Sequence, residues 1–143
     1  MKRNLAKEIG ILNHCIKEYL SNGVDPKKYL NITQYQILMY LIKHENENVI
    51  QKDLEAETHL KKASITGSLD TLAEMDLIYR VQAEDDKRKN YVKLTDKALK
   101  YKNDFENRAL AFNHSVIKNI SDEQLNTFYE VIDQIKKNIT KEG

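Results

Sequence analysis

"YRVQAEDDKRKNYVKLT", Tyr79 to Thr95, sets a knot of charge between two runs that alternate apolar and polar side chains. Leu77, Ile78 and Val81 begin one strand. Tyr91 to Leu94 make its return partner, with Val92 and Leu94 on one side. Asp85, Asp86, Lys87, Arg88 and Lys89 therefore form the tip of a β-hairpin.

What precedes the hairpin gives it a context. "KKASITGSLDTLAEMD" is a helix whose inward stripe is Ile65, Leu69 and Leu72, at steps of four and three. "THL" is a turn, and before it "IQKDLEAE" is a short helix anchored by Ile50 and Leu54. A short helix, a three-residue turn, a longer helix and a charged hairpin follow the order of a winged helix-turn-helix. In that unit the first helix braces the second. The second enters a major groove about 12 Å wide, and the hairpin tip reaches the neighbouring backbone or minor groove.

Helices are expected on both sides. Leu5, Ile9, Leu12, Ile16 and Tyr19 recur at helical spacing, and "LSNGVDP" ends that run, with Gly23 as a left-handed cap and Pro26 shortly after. Thr33 and Gln36 read as a capping box, with Ile32 stapled to Ile37, for a helix through Leu38, Leu41 and Ile42 to about Lys43. Thr95 caps a long helix carrying Ala98, Tyr101, Phe105, Phe112 and Val116. Ser121 to Gln124 is a further capping box, with Ile120 and Leu125 placed to staple. It opens a last helix striped by Leu125, Phe128, Ile132, Ile135 and Ile139.

The bulk numbers fit a mostly helical globular protein. A chain of 143 residues suits one domain, and one Pro with four Gly favours helices over a turn-rich β architecture. Cys15 is the single cysteine, which excludes an internal disulfide framework and suits a reducing cytoplasm. No apolar run approaches the ~18 residues of a membrane span, and the polar N-terminus is not a signal peptide. A net charge of +1 announces no nucleic acid. Between Lys61 and Lys93 seven basic residues face six acidic ones, so only the placement of charge can carry such a function. Catalysis is not indicated: there is no phosphate-gripping glycine loop, no supported carboxylate pair and no nucleophile motif.

The stretch from Thr33 through "QYQILMYL", then "IQKDLE", "LKKASITGSLDTLAEMDLIYR" and above all "EDDKRKNYVKLTDKA", resembles the multiple-antibiotic-resistance-regulator (MarR) family of bacterial transcription factors. The last segment is similar to the family's wing signature, an Asp-x-Arg followed by a strand ending in Leu-Thr; here these are Asp86, Lys87 and Arg88, with Leu94 and Thr95 closing. The resemblance covers nearly the whole chain. It implies a mainly α fold with a small β-hairpin wing. A winged helix-turn-helix over residues 33–95 would be flanked by dimerisation helices at 1–32 and 96–143. It implies a homodimer on a pseudo-palindromic duplex operator, with two recognition helices about 34 Å apart. It implies a repressor more than an activator. Arg88 becomes the cation directed at the DNA, Lys87 and Lys89 phosphate partners, and Asp86 the group that holds the arginine in a bonded geometry.

On the longer helix, about 100° per residue puts Ala63, Ser64, Gly67, Asp70 and Thr71 on or near the side opposite the apolar stripe. Lys61 and Lys62 sit at its N-terminal end, where the helix dipole also favours phosphate, and Thr66 lies on the flank. Ala63 and Thr66 carry methyl groups suited to thymine. Gly67 departs from relatives that carry arginine or another polar residue near there. A mid-helix glycine costs ~1 kcal/mol relative to alanine, which points either to close approach or to drift at a tolerant surface site. Asp76 stands where relatives often have glycine after the recognition helix, and aspartate tolerates the left-handed conformation better than most residues.

Members of the family respond to a small ligand, a metal or an oxidant. Cys15 lies roughly where peroxide-sensing relatives carry their reactive cysteine, with Tyr19, Tyr29, Tyr35 and Tyr40 as neighbours. Ile37, however, stands where that subgroup has a tyrosine. A lone cysteine is also an ordinary small hydrophobe. His14, His44, His59 and His114 are scattered without ligand spacing, so neither a metal nor another cofactor is expected. The competing function is a winged helix used for protein–protein contact without DNA.

Overall fold

Helix and strand signals meet in a three-stranded sheet flanked by helices. The computed structural model describes residues 2–25 and 27–140; Pro26 lies outside the described residues. The chain divides into two compact units, Met1–Arg108 and Ala109–Gly143.

The first unit begins with α1 (Leu5–Ser21), which Asn4 caps by accepting from the Lys7 amide. Gly23 follows at φ +74°, a left-handed conformation that glycine adopts at no steric cost. Next come α2 (Ile32–Lys43), β1 (Val49–Ile50), α3 (Gln51–Thr58), α4 (Lys62–Glu74), β2 (Ile78–Gln82), β3 (Asn90–Leu94), α5 (Asp96–Lys100) and the start of α6 (Lys102–Val116). The sheet is antiparallel in the order β1-β3-β2. Ile78 pairs with Leu94 at its root and Gln82 with Asn90 near the tip.

The core is built by the stripes the periodicity marks. Ile37, Leu38, Leu54, Ile65, Leu69 and Leu72 are wholly buried, and Leu41, Leu77, Ile78, Val92, Ala98 and Phe105 join them. Burial of such side chains is worth roughly 1.5–3 kcal/mol each and is the main force holding α2, α3, α4 and the sheet together.

Four details of the sequence reading change. The capping box of α2 is Asn31 with Gln34, two residues earlier than Thr33 with Gln36: the Gln34 amide donates to Asn31 Oδ1 and Gln34 Oε1 accepts from the Asn31 amide, both at 2.9 Å. Gln34 is buried and Gln36 exposed, so the buried carboxamide needs the internal partner. Ile32 is then the first helical residue and not a staple before the cap. Ile50 ends a strand instead of anchoring α3 from within: it pairs with Tyr91, and its amide donates to Asp53 Oδ2 at 3.0 Å. The helix capped by Thr95 is interrupted at Tyr101, the C-cap of α5, so α5 and α6 are separate.

The second unit comprises the end of α6 and α7 (Asp122–Thr140). The expected box before α7 is present: the Gln124 amide donates to Ser121 Oγ at 3.1 Å and the Ser121 amide to Gln124 Oε1 at 3.0 Å. Like α1, α7 buries none of its side chains.

Candidate nucleic-acid interface

Because Ile65, Leu69 and Leu72 occupy the core, helix geometry turns Ala63, Ser64, Gly67, Asp70 and Thr71 outward, and all five are exposed. Lys61 is the N-cap residue of α4 and Lys62 its first helical residue, both exposed. Thr66 is half-buried, and its Oγ1 accepts from Gln51 Nε2 at 2.8 Å; the same amide donates to the Lys62 carbonyl at 3.3 Å. Gln51 thus clamps the start of α3 against α4, the bracing role expected of the first helix. A Cβ on Gly67 would meet nothing within 4 Å, so packing inside the chain does not require glycine there.

The exit from α4 is equally defined. The Leu77 amide donates to the Leu72 carbonyl and the Asp76 amide to Ala73, a Schellman closure with Asp76 at φ 60°. Aspartate serves in the left-handed position, as its local polar chemistry allows. Thr95 Oγ1 then donates to the Asp76 carbonyl at 2.7 Å, and Lys97 Nζ to the Met75 carbonyl at 2.9 Å. The hairpin root is therefore tied to the end of α4.

At the wing tip, Asp86 Oδ1 accepts from the Arg88 amide at 2.9 Å and from Arg88 Nε at 3.2 Å. The Arg88 amide first, and then its guanidinium, hold the Asp86 carboxyl below the usual carboxylate range, so it stays ionised. The Lys89 amide donates to the Asp86 carbonyl and Gln82 Nε2 to the Lys87 carbonyl. Arg88 leaves this turn with its side chain 91% exposed.

Placement resolves the near-neutral charge balance. Lys93 Nζ donates to the Glu47 carbonyl and to Asn48 Oδ1, Lys97 is held by Met75, and Lys102 pairs with Glu45 at 3.0 Å. Lys61, Lys62, Lys87 and Lys89 stand exposed, with no ion-pair partner among the described residues. Lys61 and Lys62 on α4 and Lys87 and Lys89 at the wing tip are thus available, and Arg88 is held only by Asp86, while Lys93, Lys97 and Lys102 are engaged.

Sequence reasoning missed two features of this region. One is β1, too short to show alternation. The other is the ion pair between Arg80 Nη2 on β2 and Asp70 Oδ1 on α4 at 2.8 Å, for which ten residues of separation give no periodic signal. Cys15 is exposed on α1, apart from these elements in the chain. No three His, Cys, Asp or Glu side chains gather in metal-binding geometry among the described residues. No described helix is long and apolar enough to cross a membrane.

Known proteins match this arrangement. The family model of the transcriptional regulator SarA/Rot matches residues 19–105. The HTH-type transcriptional repressor YetL of Bacillus subtilis is 26% identical over 121 residues, spanning 85% of this chain and 70% of that protein. The transcription regulator MarR from Oenococcus oeni superposes with a TM-score of 0.76 at 22% identity, covering 94% of this chain and 99% of that one. PcaV from Streptomyces coelicolor, solved with its natural ligand, superposes with a TM-score of 0.76 at 17% identity, covering 93% and 89%. The fold is that of MarR regulators, and the chain belongs to the SarA/Rot family of transcriptional regulators.

Proposed function

We propose that this regulator binds double-stranded DNA as a homodimer, with α4 in the major groove and the wing tip on the neighbouring backbone or minor groove. The observation that carries this reading is the split among the cations. Lys61, Lys62, Lys87, Arg88 and Lys89 project from α4 and the wing, while Lys93, Lys97 and Lys102 are tethered by bonds to their own chain. Ala63, Ser64, Thr66 and Gly67 form the base-facing surface, with Thr66 contributing its methyl group, since its hydroxyl is occupied by Gln51. Phosphate contacts position the protein, and little polar reach remains on α4 for base edges, so groove shape carries much of the site choice.

The dimer is supported by apolar faces that the chain leaves open. Leu5, Ile9 and Leu12 on α1 are about half exposed, as are Phe128 and Val131 on α7, and Ile139 is 75% exposed. A second copy covering each face would remove this surface from water. A two-fold pair would also present two α4 helices to a pseudo-palindromic operator. The likeness to YetL favours repression, exercised in the cytoplasm where the duplex is. The likeness to PcaV with its ligand favours release by a small molecule. Exposed Cys15 keeps an oxidant as the second candidate signal.

Titration of a duplex selected by the wild-type protein from a random library tests the reading. Affinity should fall steeply with ionic strength as counterions return to the phosphates. A partner protein bound without that slope, and no duplex retained, would instead support the winged helix as a protein-contact module.

A further inference from the structure

One face of β2 carries three residues at alternating positions, and each does something different. Ile78 is buried in the core, Arg80 pairs with Asp70 on α4 at 2.8 Å, and Gln82 donates to the Lys87 carbonyl at the wing tip at 2.8 Å. Alternation along a strand places 78, 80 and 82 on one face. We infer that Arg80 and Gln82 are positioning residues for DNA binding: Arg80, through Asp70, locks the angle between recognition helix and wing, and Gln82 holds the wing-tip turn on the end of β2, so that helix and tip meet the duplex as one rigid unit. The inference rests on the DNA-binding reading and deepens it.

Stability alone does not account for the Arg80–Asp70 pair. The Arg80 side chain is 32% exposed and that of Asp70 59%, and ion pairs this open contribute little to folding. Asp70 also places a negative charge on the outward side of α4, where it opposes phosphate. A carboxylate there is useful if it orients something. Docking two elements on consecutive surfaces of a duplex costs less orientational freedom when their mutual angle is already set. Arg88, anchored by Asp86, then extends from a turn whose backbone Gln82 holds.

The test turns on a sign. Plain electrostatics predicts that Asp70→Ala strengthens DNA binding by removing a negative charge beside the phosphates. The latch predicts a loss of roughly three- to tenfold, with Arg80→Met losing a similar factor and the double variant no worse than either single one. Gln82→Ala should lose a smaller factor. Binding is read by fluorescence anisotropy on the duplex selected by wild-type protein, across a salt series. Melting temperatures should stay within ~3 °C of wild type because these are exposed groups, which separates the effect from unfolding. The salt slope should be unchanged in Asp70→Ala and Arg80→Met, since neither removes a phosphate contact. Tighter binding by Asp70→Ala, additive losses, or a slope reduced by about one in Arg80→Met would overturn the latch. Wild-type protein without salt-dependent duplex binding would remove the underlying DNA reading as well, whereas normal wild-type binding with unaltered variants sinks the latch alone.

Discussion

α4 and α1 are both helices with an apolar residue at every third or fourth position, yet they end in opposite surroundings. Ile65, Leu69 and Leu72 of α4 are wholly buried, while Leu5, Ile9 and Leu12 of α1 are about half exposed. Periodicity reports that a helix has an apolar face; it does not report what covers that face. For α4 the cover is α2, α3 and the sheet of its own unit. For α1 we propose that it is a second copy of the chain. The contrast separates residues that hold the fold from residues that we propose serve assembly.

The comparison breaks most visibly at Leu69. Leu69→Ala should cost roughly 2–5 kcal/mol, because a fully buried leucine leaves a cavity its neighbours fill poorly, and denaturant unfolding will read the loss. Leu12→Glu on α1 should leave the fold of the monomer intact. It should weaken self-association by roughly 2 kcal/mol through burial of a carboxylate at the proposed interface, seen in sedimentation as a shift toward monomer. If Leu12→Glu unfolds the chain and does not dissociate it, the assignment of α1 to assembly is wrong.

Smaller effects sharpen the contrast between fold and interface. Arg88→Ala should weaken duplex binding by about 1–2 kcal/mol for all sequences and reduce the salt slope by about one, with melting unchanged. Asn31→Ala should cost ~1 kcal/mol of stability and Thr33→Ala little, since the α2 cap is Asn31; a thermal melt distinguishes them. Gly67→Ala should raise stability by about 0.5–1 kcal/mol, because its Cβ has open space and alanine suits the helix. A fall in DNA affinity in the same variant would identify close approach of the α4 backbone to the groove as the reason for glycine. Unchanged affinity would leave Gly67 as surface drift.

Much of the fold was legible because local chemistry repeats. The core stripes of α2 and α4, the hairpin and the Ser121–Gln124 box each follow from residue type and spacing, and the left-handed Asp76 from the resemblance to relatives with glycine there. The α2 cap was misplaced because Asn31-x-x-Gln34 and Thr33-x-x-Gln36 overlap, and burial of Gln34 selects the first. The exposed side of α4, which we propose faces DNA, follows by exclusion from its buried stripe. Lys61 and Lys62 were legible at its N-terminal end, but the tethering of Lys93, Lys97 and Lys102 was not, because counting charges cannot tell a tethered lysine from an available one.

By itself, the order of residues determined the apolar stripes of the main helices, the β2–β3 hairpin and the Ser121–Gln124 cap, since these depend on contacts a few residues apart. Tertiary structure alone decided that Val49 and Ile50 join the sheet beside Val92 and Tyr91, that Arg80 reaches Asp70, and that Lys93, Lys97 and Lys102 are occupied. Those outcomes depend on groups distant in the chain meeting within about 3 Å, the range over which hydrogen bonds and ion pairs act.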